Sequence, residues 1–274
     1  MMGFKVSARR AMAAGCLALA AAGAQAQTQD WWVHLANDRV AQVRELLAQG
    51  ADPNVRYANG QPALMHAVVD GAWNVFDLIA ADPRTDLNIE NPAGETPLMY
   101  LALAGQVERA RRLVASGAHV NRLGWTPLHY AASKGQVDMA KFLLEQGAMP
   151  NAPSPNGVTP LMMAGYSKSR SMVELLIQAG ADPLGRDEKG QSAADWAQAG
   201  KAHALAEEIR VYMARAESER TAAHRGGASA AEQTPAPAMT VAPEPGGNTA
   251  PRAGVSGVSG LGLTNYDQDT SIEP

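Results

Sequence analysis

The string Thr96-Pro97-Leu98 returns as Thr126-Pro127-Leu128 and again as Thr159-Pro160-Leu161. Weaker copies stand at Pro62-Ala63-Leu64 and Ser192-Ala193-Ala194, so the first slot recurs at steps of 34, 30, 33 and 33 residues. A sequence period of this size confines the chain to an array of like units. One such unit has too little interior to bury its own apolar face, and stacked neighbours must bury it for each other.

Other features recur in the same register. Nine residues after the first slot stands Gly71, Gly105 or Gly135, with Lys168 in the fifth unit. An apolar helical pattern follows, as in Val137, Ala140, Phe142, Leu143 and Leu144, or Val173, Leu175, Leu176 and Ile177. Gly-Ala then closes four of these helices, at Gly50-Ala51, Gly117-Ala118, Gly147-Ala148 and Gly180-Ala181. Asn54, Asn88, Asn121 and Asn151 end the units. A Thr oxygen before a helix caps a free N–H, and Pro suits the first turn because its missing N–H is not needed there. Gly past a helix end takes the left-handed conformation that costs other residues about 1 kcal/mol or more.

These spaced motifs together resemble the ankyrin repeat. The fit is closest over Thr126-Pro127-Leu128-His129-Tyr130-Ala131-Ala132 with Gly135, Leu143, Leu144, Gly147 and Ala148, and covers roughly residues 30–210. The resemblance implies an all-α fold, an ankyrin-repeat solenoid of about six helix-turn-helix units with short β-hairpin-like loops. The first unit, about 30–61, opens with Trp31-Trp32 as an N-terminal cap. The last, about 192–217, carries Glu207, Glu208, Arg210, Arg215 and Glu217, the polar outer face a terminal repeat needs. Two units depart from the pattern. The second ends in Ala81-Asp82-Pro83-Arg84-Thr85 in place of Gly, and the third leaves five residues from Asn121 to Thr126 where other loops have eight. That shortened finger predicts a notch between units three and four.

The ends differ from the middle. Residues 1–26 read as a signal peptide: Lys5, Arg9 and Arg10 precede an Ala-rich apolar run, and Ala24-Gln25-Ala26 suits cleavage after Ala26. The run is shorter than the about 20 residues a membrane span requires. An uncleaved anchor and lipidation at Cys16, the single cysteine, are the alternatives. Cleavage would leave a mature chain without a thiol, hence without disulfide or thiolate metal site, in the periplasm or outside the cell. The repeat domain is placed at 27–217 and a disordered low-complexity tail at 218–274, poor in aromatics and rich in Ala, Pro, Gly, Ser and Thr. That tail is a solvated linker, or else a tether or partner-folded segment using Leu261, Leu263 and Tyr266.

The three basic residues of the leader are among 23 in the chain and the leader holds no acid. The remainder therefore has 20 basic residues against 27 acidic, a net of −7. Nucleic acid demands a basic face and is not an expected partner. No metal-binding His pair, nucleophile elbow, P-loop or dinucleotide motif stands in the required context, so neither catalysis nor a cofactor is expected. His129 occupies the family's His slot, where the resemblance implies a loop hydrogen bond. Met65, Met99 and Met162 take that slot elsewhere. Core packing or soft Cu(I) ligation could explain them. Asp52, Asp182 and Asp187 fall at loop positions suited to turn-making.

The resemblance further implies a monomer that binds another protein on its concave face. The family's variable contact positions fall on Gln61, Glu95, Trp125, Val158 and Gln191 just before the first slot. On the first helices they fall on Val69, Asp70, Leu103, Ala104, Ser133, Lys134, Tyr166 and Ser167. Trp125, Leu103, Val158 and Tyr166 are expected to form an exposed apolar patch beside the shortened finger. The alternative is that Trp125 folds inward. Exported bacterial members suggest support of envelope stress or peroxide defence, or neutralisation of a toxic effector.

Overall fold

A computed structural model of the chain describes residues 31–231. The expected leader, its cleavage site, Cys16 and the part of the expected tail from residue 232 onward lie outside the described residues. Twelve helices are described. They are α1 (31–36), α2 (Val40–Ala48), α3 (Ala63–Val69), α4 (Trp73–Ala80), α5 (Pro97–Leu103) and α6 (Val107–Ala115), then α7 (Pro127–Ser133), α8 (Val137–Glu145), α9 (Pro160–Tyr166), α10 (Arg170–Gln178), α11 (Ala193–Ala199) and α12 (His203–Ala231). They pair into six units. The described residues hold no strand, and the loops show one isolated antiparallel bridge, between Arg56 and Pro62.

The repeated slots explain the helix starts. Pro97, Pro127 and Pro160 each take the first helical position behind a capping Thr. The Thr159 hydroxyl accepts from Met162 N at 3.4 Å, and the Ser192 hydroxyl from Asp195 N at 3.3 Å. The third residue of each helix reaches back in turn. His129 Nδ1 accepts from Thr126 N at 3.2 Å and Asp195 Oδ2 from Ser192 N at 2.8 Å. The thioether sulfurs of Met99 and Met162 do the same for Thr96 N and Thr159 N, each at 3.4 Å. In the second unit Pro62 has no N–H to offer, and Met65 is simply buried. The methionines of the His slot are thus fully buried acceptors and packing groups, each within its own unit.

First helices α3, α5, α7, α9 and α11 stack in order; of the second helices, α2 packs on α4, and α6, α8 and α10 pack in succession, with α4 and α6 joined by the Asp77–Arg109 pair. Between the rows runs one continuous core. It takes Leu64, Leu98, Leu128 and Leu161 from the third slot of each motif, and Val43, Phe76, Leu113, Leu143 and Leu176 from the second helices. Each large apolar side chain removed from water in this way contributes about 1.5–3 kcal/mol. Trp31 and Leu35 seal the first end, and Leu205, Ala206 and Ile209 seal the last. The final helix continues past Glu217, where the repeat pattern fades, to Ala231, so residues 218–231, expected to belong to the disordered tail, are helical. The chain divides into two compact units at Met213–Ala214. In the second, Arg215 pairs with Glu219 at 2.9 Å along the helix.

The closing asparagines fasten successive units. Asn54 donates to Arg84 O at 2.9 Å while its Oδ1 accepts from Asp86 N at 2.8 Å. Asn88 makes the same clasp with Gly117 O and His119 N, Asn121 with Gly147 O and Met149 N, and Asn151 with Gly180 O and Asp182 N. These bonds satisfy backbone groups left open at the next unit's helix end. Gly147 is left-handed there (φ +82°), as its place in the pattern requires. In the second unit, which lacks that Gly, Thr85 Oγ1 donates to Ile79 O at 2.6 Å and Arg84 to Leu47 O at 3.2 Å. The loop aspartates also act as expected: Asp52 and Asp182 each accept from an amide two residues on, at 2.9 Å.

Candidate functional site

Four fingers close on themselves through a backbone bond to the carbonyl just before the first slot: Tyr57 N to Gln61 O at 2.8 Å, Asn91 N to Glu95 O at 3.0 Å, Ser154 N to Val158 O at 2.8 Å and Asp187 N to Gln191 O at 3.0 Å. Among the described residues the shortened stretch Arg122–Trp125 has no such closure. Arg122 instead reaches back to Gly94 O and to Glu90 Oε1, the latter at 2.8 Å. Leu123, at the tip, is 95% exposed.

The contact residues expected from sequence do not share one environment. Val69 and Tyr166 are exposed at 58% and 46%, and Asp70, Ala104 and Lys134 are also exposed. Gln61, Glu95, Leu103, Trp125, Ser133, Ser167 and Gln191 are half-buried. Val158 contradicts its expected role, being 4% exposed. Its amide donates to Ser154 Oγ at 3.0 Å and its carbonyl accepts from His129 Nε2 at 3.0 Å, which draws the side chain into the joint between units four and five. Trp125 lies partly against the core, edge-on to His129 with ring centroids 5.2 Å apart. The expected four-residue patch is therefore not a continuous exposed surface. Tyr166 instead packs edge-on against Trp196 at 6.0 Å.

His129 is buried and makes the hydrogen bond expected of its slot. Its Nδ1 accepts from the Thr126 amide, so Nε2 carries the proton and donates to Val158 O. Burial pushes its pKa down from 6.5 to about 4, against the pull of the Val158 carbonyl. Asp187 differs. Burial alone would raise its pKa, but the Gln191 amide, the Trp196 indole at 2.9 Å and the Lys189 amide outweigh it and hold the carboxyl below its ordinary value.

Two residues absent from the expected set join the third and fourth units. Tyr100 Oη and Tyr130 Oη both donate to the Glu95 carboxylate, at 3.1 Å and 2.5 Å. Asn91 Nδ2 donates to the same carboxylate at 2.7 Å and lies 3.5 Å from Gln61 Oε1. Burial first, then the bond to Glu95, pushes the Tyr130 phenol up. Both tyrosines follow the His slot directly, a signal readable in the sequence. A second group missed there is Trp32, Tyr57 and His66, whose rings meet at 4.9–5.3 Å, with His66 Nδ1 2.9 Å from Asp70 Oδ2.

On the opposite row a cavity of about 130 Å³ lies between α4 and α6, where Asp77 meets Arg109 at 3.1 Å and Arg112 at 2.8 Å. Small-molecule sites are larger, at about 300 Å³ and upward. Among the described residues no group of three or more His, Cys, Asp or Glu is placed to hold a metal, and no helix is long and apolar enough to cross a membrane.

The family model described as Ankyrin repeats (3 copies) matches residues 32–123, 70–154 and 119–187, which together span more than half of the chain. The chain is also similar to Ankyrin repeat and SAM domain-containing protein 6 of Rattus norvegicus, at 29% identity over 135 residues. That stretch is 49% of this chain and 12% of the rat protein, so the chain matches a small part of that relative.

Proposed function

The chain belongs to the ankyrin-repeat family, and on that premise we propose that it is a non-catalytic scaffold that binds another protein. Binding uses the face built from the fingers and first helices of units two to five. The observation that carries this reading is the side-chain content of that face. Leu103, Trp125 and Tyr166 remain partly or largely open, Leu123 is nearly bare, and Glu95 gathers the tyrosines of units three and four. Aromatic groups with partial exposure beside satisfied polar groups are how binding hot spots are built.

The test is a crosslinked pull-down from a periplasmic extract, followed by affinity measurement with the protein captured. Trp125→Ala is expected to weaken binding by about 2 kcal/mol or more. Leu123→Ala, whose side chain touches little, should weaken it without changing the melting curve. Unaltered affinity in both variants would remove this face from the site.

Export belongs to the same proposal. N-terminal sequencing of the mature protein should begin at Gln27, and fractionation should place it in the periplasm or medium. A role in envelope stress or peroxide defence would appear as capture of a protein of that response, and an immunity-like role as capture of a toxic effector. An envelope tether would appear as release of the protein when the tail is deleted.

A further inference from the structure

Glu95 is a half-buried carboxylate surrounded by neutral donors. Tyr130 occupies Oε1, and Tyr100 and Asn91 occupy Oε2. Among the described residues no cation pairs with it. Arg122, reaching into the same region, is committed to Glu90 and the Gly94 carbonyl. Other acids of these units already have partners: Asp70 has a hydrogen bond with His66, and Glu90 pairs with Arg122. Asp187 likewise makes no ion pair among the described residues, but it is buried and its oxygens close its own finger. In the third unit Asn91 Oδ1 closes the finger by accepting from Ala93 N and Glu95 N, so the Glu95 carboxylate is not needed for that task.

A carboxylate offers about four acceptor sites, and three bonds leave one open on Oε1. Withdrawing such a charge from water without a countercharge is costly, and neutral hydrogen bonds offset only part of that cost. An added cation would be held by charge-assisted bonds stronger than those now present. Leu103 lies one helical turn past Tyr100 on the same side of α5, where it can cover the aliphatic stem of a long basic side chain.

We infer that Glu95, aligned by Tyr100, Tyr130 and Asn91, is the recognition point for an arginine or lysine side chain on the bound protein. This deepens the proposal that the finger and first-helix face is the binding face, and rests on it. The partner is thereby a protein with a basic segment that lies across units three and four.

Peptides selected from a random display library on the full chain provide the probe. Binders of this face are those weakened by Trp125→Ala or Tyr166→Ala. They should carry a basic residue, and Glu95→Gln should weaken them by at least about tenfold. Replacing that arginine by citrulline, or the lysine by norleucine, should weaken binding to the unaltered protein by a similar factor. It should add little further in Glu95→Gln, as expected for a directly coupled pair. The peptide substitution reads the interaction even if Glu95→Gln disturbs the fold. Binders that use this face but are indifferent to both changes would overturn the role of Glu95 and leave the binding face standing. Binders that are all insensitive to Trp125→Ala and Tyr166→Ala would overturn both.

Discussion

At the scale of single residues, His129 ties its own helix start to the next unit's finger, and it does so as a neutral ring. Its pKa is 6.5 in an ordinary setting and about 4 here. Above pH 6.5 the ring is neutral in both folded and unfolded chains, and its contribution is complete. Between 6.5 and 4 the unfolded chain takes up a proton that the folded chain refuses, so stability falls as pH falls, by about 3 kcal/mol across the window. Denaturant titrations at a series of pH values should show this decline. His129→Met, which copies the neighbouring units, should lower stability at pH 7 through loss of the bond to Val158 and flatten that part of the profile. Lys168 offers a second prediction. It stands in the glycine slot with φ +62°, a conformation disfavoured for side chains. Lys168→Gly should raise stability by about 0.5–1 kcal/mol, after the greater flexibility of glycine in the unfolded chain is counted.

At the scale of elements, the joints are not alike. Units one to five are clasped by asparagine, but Leu184 stands in that position before the sixth. There the first helices come very close instead. A Cβ added to Gly165 would sit 2.7 Å from Ala193 O and 3.3 Å from Ala197 Cβ, and Arg170 pairs with Glu208 across the second helices. Gly165→Ala should therefore destabilise by about 1–3 kcal/mol, measured by thermal melting, although alanine is the better helix former. The helix starts and ends were legible in the sequence because Thr, Pro and Gly each have a local reason to be where they are. The clasp was visible as a recurring Asn, but its partners lie about thirty residues on, and its geometry depends on stacking. Val158 misled for a related reason. The slot it fills holds Gln61, Glu95 and Gln191 in other units, and its burial is set by Ser154 and His129, which only the folded joint brings to it. The Tyr100–Glu95–Tyr130 network likewise spans two units and has no local signature beyond two tyrosines in equivalent slots.

At the scale of the array, stability is distributed over joints, so stress at one of them should open the chain there first. The acid-sensitive His129 sits at the joint of units four and five. Hydrogen exchange followed by mass spectrometry, corrected for the slower intrinsic exchange at low pH, should show protection falling from pH 7 to pH 5 in α7–α9 and the Ser154–Val158 finger more than in α3–α6. A uniform loss of protection along the array would show that the units open together.

The asparagine clasp has one more consequence. Units two, three and four each present an asparagine forward and a matching pair of backbone groups behind, so each carries fittings for a neighbour on either side. A duplicated copy of the fourth could be spliced in after itself with both fittings engaged. The sixth could not be transplanted inward, because it has no such fitting on either side and would leave its neighbours' helix ends unfastened.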